Sequence, residues 1–197
     1  LSCYGEKKGL DVTILSGDRD TFQLATDKVT IRIPHTKAGK TETDEYNRQR
    51  IIETYGLEPK QLIDVKGLQG DTSDNIPGVP GVGEKTALAL IQKFGSIEKL
   101  YEKVEAGEAE LKGKQKEKIE NNKELAFLSK TLGTINLEVP IQDTLEDFKV
   151  EEWDKPKVLE LFQKLNFNRY IERFSLRGEA TQKEEAKDLF QMVDKST

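Results

Sequence analysis

The chain has 197 residues, 35% of them hydrophobic and 34% charged, and its 31 basic and 36 acidic side chains leave a net charge of −5. No apolar run approaches the ~20 residues of a membrane-crossing helix, which excludes that class. A single cysteine, Cys3, and a single histidine, His35, exclude a disulfide-stapled scaffold, a cysteine zinc site and a multi-histidine centre.

The acidic balance argues against a nonspecific nucleic-acid coat, but it is compatible with a local basic face beside an acidic metal site. Cys3 reads as a small core residue and His35 as a strand-end or loop residue. The scarcity of cysteine suits a reducing cytosol.

Ser2 to Gly9 reads as the last turn of a helix with a glycine stop, as if more sequence preceded it in a parent protein. Val12-Thr13-Ile14-Leu15 is apolar without alternation, which predicts a strand buried on both faces of a parallel sheet. Ser16-Gly17-Asp18-Arg19-Asp20 follows at its carboxyl end, where open α/β sheets bind ligands, and Thr21 to Leu24 begins a short helix. Val29 to Ile33 alternates as a second strand, and Thr36 to Thr43 reads as a polar loop.

From Asp44 the spacing turns helical. Helices are predicted for Asp44 to Tyr55, after Pro59 to Gly70, for Glu84 to about Phe94, and after a Ser96 cap, with Ile97, Leu100, Tyr101 and Val104 inward. The Lys/Glu-rich stretch 105–118 reads as a solvated face. A further helix is expected for Ile119 to Leu132, with Leu125 and Leu128 inward. Leu137 to Ile141 is extended. Lys157 to Leu165 is amphipathic, and Trp153, Phe162, Phe167, Tyr170 and Phe174 read as core. After Gly178 the chain is polar, with one weak helix at Lys183 to Val193. About 40 residues of α/β thus precede about 130 of helix, without internal repeat.

Three segments carry chemistry. Asp18 and Asp20 can face one cation if their loop curls, since Mg²⁺ takes oxygen ligands and keeps several waters; the alternative is an ordinary turn. In Gly70-Asp71-Thr72-Ser73-Asp74-Asn75, a helical turn would set Asp71 and Asp74 on one face; the alternative is helix capping. Four clustered carboxylates would need a cation to offset their repulsion.

The third segment runs from Ile76 to Ala87. Gly78, Val79, Gly81, Val82 and Gly83 fit the turn of a helix-hairpin-helix. Its glycines let backbone N–H groups approach a phosphate, and the next helix points its positive end there with Lys85 and Thr86. Such contacts grip the backbone and do not read bases. A nucleotide P-loop has the same glycine spacing, but Glu84 intrudes before Lys85-Thr86; a plain Gly/Pro turn is the remaining alternative.

With SGDRD at 16–20 and GDTSDNIPGVPGVGEKTA at 70–87, the chain resembles the flap endonuclease family, in the form of the 5′-nuclease domain of bacterial DNA polymerase I. The resemblance covers residues 1 to about 176. It implies an α/β fold: the C-terminal part of a PIN-like (Rossmann-like) parallel sheet over residues 1–42, a mostly helical helix-hairpin-helix domain over 43–176, and a linker over 177–197.

The resemblance also implies a metal-dependent 5′-3′ exonuclease and 5′-flap endonuclease of primer removal and repair. Asp18, Asp20, Asp71 and Asp74 match metal carboxylates of a two-metal site for Mg²⁺, with Mn²⁺ as substitute. Residues 76–87 match the hairpin that grips duplex DNA, with K⁺ among its carbonyls. The implied setting is the bacterial cytoplasm, with flap or nicked DNA as partner, no membrane, and a polymerase domain in the same parent chain. The family's N-terminal aspartate and acidic cluster are not in this sequence, so weak catalysis is expected of it, and the alternative function is a non-catalytic module that grips duplex DNA. Lys93, Lys112, Lys114, Lys116 and Lys118 are further candidates for the DNA track, each with a solvated-surface alternative.

Overall fold

A computed structural model of the chain describes residues 1–37, 39–142 and 144–176. It divides into two units, Leu1–Gln142 and Asp143–Thr197. The expected linker and the Lys183 to Val193 helix lie outside the described residues. No described helix is long and apolar enough to cross a membrane.

The first unit opens with helix α1 (Ser2–Lys7) and strand β1 (Val12–Leu15). A 3₁₀ turn (Arg19–Leu24) leads to β2 (Val29–Lys37) and β3 (Lys40–Tyr46). The strands lie in the order β1-β2-β3. β1 pairs parallel with β2 from Val12↔Val29 to Leu15↔Arg32, and β2 pairs antiparallel with β3 from Ile31↔Tyr46 to Lys37↔Lys40. The sheet is therefore mixed and not wholly parallel.

β1 is a sheet edge and alternates in burial, with Leu15 68% exposed, so it is not covered on both faces. The stretch read as a polar loop is half of a hairpin. Its β-branched Thr41 and Thr43 suit a strand, and main-chain pairing holds it although almost every side chain faces water. An Arg32–Glu45 ion pair bridges the two strands. The helix expected from Asp44 therefore starts later, as α2 (Arg48–Tyr55), where the Asn47 side chain accepts the Arg50 N–H at 2.9 Å. Gly56 ends it at φ +67°.

A 3₁₀ turn with Pro59 at its start leads into α3 (Leu62–Gln69), then α4 (Glu84–Phe94), α5 (Ile97–Glu105), α6 (Gly113–Asn121) and α7 (Lys123–Gly133). Ala87, Leu90 and Ile91 on α4, and Ile97, Leu100 and Tyr101 on α5, recur at helical spacing and are buried together with Val65, Leu68, Val79 and Val82. A smaller core joins Phe22, Val29, Ile31 and Ile51 between the sheet and α2.

The single helix expected over 119–132 is two helices that part at Asn122. The buried stripe of α7 is Ala126, Ser129 and Gly133, with Leu125 only half-buried and Leu128 49% exposed. The reason is close approach: a Cβ at Gly67 of α3 would lie 3.1 Å from the Ala126 carbonyl, so small residues line this crossing. Lys130 ties the three helices together. Its ammonium lies 2.6 Å from buried Asp64 on α3 and 2.7 Å from Glu98 on α5, and Asp64 also accepts the Ile97 N–H.

The second unit holds a 3₁₀ turn (Leu145–Phe148), α8 (Lys155–Lys164) and α9 (Asn168–Arg173). Among the described residues its aromatics do not form a closed core. Trp153, Phe167, Tyr170 and Phe174 are each more than a third exposed and pack ring on ring, with Trp153 and Phe174 centroids 4.9 Å apart. The buried apolar residues described here are Ile171 and Leu176, too few to cover five rings.

Candidate functional site

The loop after β1 is shaped by its own side chains. The Asp18 N–H donates to Ser16 Oγ at 3.0 Å, and the Asp20 N–H donates to Asp18 Oδ1 at 2.9 Å. Asp18 thereby caps the Arg19–Leu24 turn, the ordinary local use of an aspartate. Buried Gln23 fixes that turn to the end of α7: its Nε2 donates to the Gly133 carbonyl at 3.0 Å, and its Oε1 accepts the Ile135 N–H at 2.9 Å.

Asp71 to Ile76 does not form the expected helical turn. It is a tight loop closed by two backbone bonds between Asp71 and Ile76, of 2.9 and 2.8 Å, with Asn75 at φ +56°. Asp71 Oδ1 accepts both the N–H and the hydroxyl of Ser73. The loop turns the Asp71 and Asp74 carboxylates to the same side by a different route from the one the spacing suggested.

Both carboxylates meet a residue that the sequence reading missed. Lys66 Nζ bonds to Asp20 and lies 3.0 Å from Asp71 Oδ2 and 3.2 Å from Asp74 Oδ2. Its side chain is only 7% exposed, and its stem packs against α7, where a Cβ at Gly133 would lie 3.1 Å from Lys66 Cδ. Asp20, Asp71 and Asp74 are thus brought to one point, while Asp18 is not among the groups Lys66 touches. A signal was present: Lys66 is a lone cation inside LIDVKGLQ, a helix buried from Asp64 to Leu68.

The electrostatics follow from this convergence. Burial works against the charge on Lys66, but hydrogen bonds to the three carboxylates more than offset it and push its pKa up. Asp71 is held down to about 2, first by the Ser73 hydroxyl and then by Lys66. Asp20 moves the other way: burial raises it, with the charges of Asp18 and Asp74 adding and Lys66 opposing.

In kind, these donors fit a divalent cation. They are hard oxygen ligands, and three of them already gather round one positive charge. Among the described residues, however, no group of three or more acidic, histidine or cysteine side chains is spaced to hold a metal ion as it stands. The cation at the focus is the lysine ammonium.

Beside the focus lies a cavity of about 280 Å³, lined by Arg19, Tyr55, Lys66, Gln69 and Glu84 among others. Burial pushes the Tyr55 phenol above its usual value. Among the described residues, Gln69 Oε1 is buried without a hydrogen-bond partner.

The Ile76 to Ala87 stretch is a hairpin anchored from beneath. The Gly78 N–H donates to Ser129 Oγ at 2.9 Å, and the Val79 N–H donates to the Leu68 carbonyl at 2.7 Å. Gly78, Val79 and Val82 are buried, so they build the hairpin from within, whereas Gly81, Gly83 and Lys85 are exposed and Thr86 is half-exposed. Gly83 caps α4 with no side-chain bond, which leaves the first-turn N–H groups of α4 without an intrahelical partner. Lys118 Nζ donates to the Gly81 carbonyl at 3.0 Å. Lys93, Lys112, Lys114 and Lys116 are exposed, and Lys93 and Lys116 pair with Glu110 and Glu120.

These features can be set beside known proteins. DNA polymerase I of Bacillus subtilis is 44% identical over 191 residues, which take in 96% of this chain and 21% of that protein. The chain therefore spans about a fifth of the length of the curated relatives it matches. A structure of T5 5′-exonuclease with bound divalent zinc aligns with a TM-score of 0.53 at 27% identity, covering 67% of this chain and 47% of that one. A bacteriophage T5 flap endonuclease in a pseudo-enzyme-product complex with DNA and metal ions aligns at 0.52 and 26% identity, covering 66% of this chain and 46% of that one. The profile of the family described as 5′-3′ exonuclease, C-terminal SAM fold, matches residues 57–156, which take in the hairpin, helices α3 to α7 and two of the three carboxylates around Lys66. With half of its length inside that profile, the chain belongs to the 5′-3′ exonuclease family.

Proposed function

We propose that this chain is part of a bacterial DNA polymerase I, where it serves a 5′-3′ exonuclease and 5′-flap endonuclease that removes primers and trims repair intermediates in the cytoplasm. Its substrate is flap or nicked duplex DNA, and a polymerase domain lies in the same parent chain. The α/β part runs to the end of β3 at Tyr46, past the boundary at 42/43 expected from the sequence, which falls inside that strand, and the helical part follows it. The observation that carries the proposal is the meeting of Asp20, Asp71 and Asp74 at one point beside an anchored, solvent-facing glycine hairpin. The DNA and metal ions held by the T5 flap endonuclease support it.

Asp20, Asp71 and Asp74, with Asp18 beside them, are the residues that would hold Mg²⁺ or Mn²⁺. When bound, such ions supply an activated water and stabilise charge on the phosphate oxygens. The chain's own residues do the rest. Asp18 and Ser16 shape the carboxylate loop, and Ser73 fixes the Asp71 carboxylate. The unpaired N–H groups at the start of α4, with Lys85 and Thr86, grip a backbone phosphate. The Gly81 carbonyl, which already accepts an ammonium, is a donor of the kind K⁺ takes.

One observation favours a second reading, a duplex-gripping module that performs no chemistry in this form: Lys66 stands at the carboxylate focus. A 5′-flap assay on this chain, reading binding and Mn²⁺-dependent cleavage together, separates the two. Cleavage that disappears in Asp71→Asn supports the nuclease. Binding without cleavage supports the gripping module.

A further inference from the structure

Lys66 and the carboxylates solve each other's problem. Taking an ammonium out of water is costly unless opposite charges surround it. Three carboxylates gathered together are equally costly without a cation. Asp20, Asp71 and Asp74 converge on the Lys66 ammonium, and among the described residues no set of three ligating side chains is already spaced for a metal ion. A divalent cation that takes Asp20, Asp71 and Asp74 together must therefore use the point the ammonium holds. An ammonium and a dication cannot share it, because they would repel strongly at a few ångströms.

The structure also offers the ammonium somewhere to go. The 280 Å³ cavity borders Lys66 and is lined by Glu84 and by Gln69, whose Oε1 is buried without a partner among the described residues. A lysine swung into that space would leave three acceptors and meet two others.

We infer that Lys66 is a resident counter-ion, and that divalent cation binding at Asp20, Asp71 and Asp74 is an exchange in which its ammonium moves out toward Gln69 and Glu84. This rests on the proposal that the three carboxylates take a divalent cation. The exchange leaves the three carboxylates partly neutralised by one ammonium when no metal is present, at the expense of metal affinity.

The test uses the full 197-residue chain without DNA. Lysine Nζ resonances are followed by NMR during Mg²⁺ titration, with Lys66 assigned through Lys66→Arg. Mn²⁺ affinity is measured calorimetrically for wild type, Lys66→Met and Asp71→Asn. The expected result is a Lys66 Nζ signal that changes in step with Mg²⁺ binding, and Mn²⁺ binding at least about tenfold tighter in Lys66→Met. Mg²⁺ binding that leaves the Lys66 signal unmoved overturns the inference and spares the functional proposal. So does Mn²⁺ binding no tighter in Lys66→Met. If that variant does not fold, the NMR titration decides alone. If Asp71→Asn binds Mn²⁺ as wild type does, these carboxylates are not the cation site, and the metal-dependent reading falls together with the inference.

Discussion

Asp71 links the chemistry of one residue to the stability of the fold. Its carboxyl is held down to about 2, against ~3.9 in an unfolded chain. A depressed carboxyl stabilises the fold above its unfolded value, and that contribution is lost as pH falls from about 4 through 2. Its side chain is 29% exposed, so solvent screening leaves roughly 1 kcal/mol. Asp20, raised by burial, acts in the opposite sense over its own range and blunts the effect. We expect urea midpoints of Asp71→Asn to fall less steeply between pH 4 and 2 than those of wild type; parallel curves would refute the assignment. Gly78 is a second single-residue test. It sits at φ +60°, and a Cβ there would collide with the backbone of Gln69 and Gly70. Gly78→Ala should cost more than about 2 kcal/mol in chemical denaturation.

At the scale of elements, the hairpin depends on helix α7. Ser129 is fully buried, and its hydroxyl is the partner of the Gly78 N–H. Ser129→Ala strands that N–H in the core and should cost about 1–3 kcal/mol by urea denaturation, whereas a surface Lys114→Ala should cost nothing measurable. The sequence made the helices legible wherever apolar residues recur at helical spacing, and most sharply where a cap precedes them, as at Ser96; at α2, whose cap is Asn47, the spacing places the start too early, at Asp44 rather than Arg48. It made the carboxylate pairs legible because they lie in turn-forming loops. It hid β3, whose side chains are polar and exposed and whose stability lies in main-chain pairing that no side chain advertises. It misled on α7, because leucines there face outward while Ala126, Ser129 and Gly133 make the close contact. It hid Lys66 as a site residue, since a lysine is ordinarily a surface residue, and neither its burial against α7 nor its pairing with Asp20, 46 positions away, shows in the local sequence.

At the scale of the whole molecule, the net charge of −5 coexists with a hairpin face bearing Lys85 and Lys118 and with α6, rich in exposed lysine. Binding to DNA through phosphates releases counterions, so the affinity should fall steeply and linearly on a log–log salt plot. Lys85→Ala should weaken binding uniformly across sequences and reduce that slope by about 1. An unchanged slope would remove Lys85 from the interface.

The bond from the Ile135 N–H to Gln23 joins residues 112 positions apart, and the one from Gln23 to Gly133 spans 110. We expect such distant closures to form late in folding, because the loop entropy is spent before the contact forms. The loop bearing Asp18 and Asp20 therefore takes its final shape only when the chain between has folded, so a partly folded molecule offers divalent ions no assembled trap. Amide hydrogen exchange at Ile135 should then report opening of the whole unit rather than local fraying, and its protection should track the global unfolding free energy as denaturant is added.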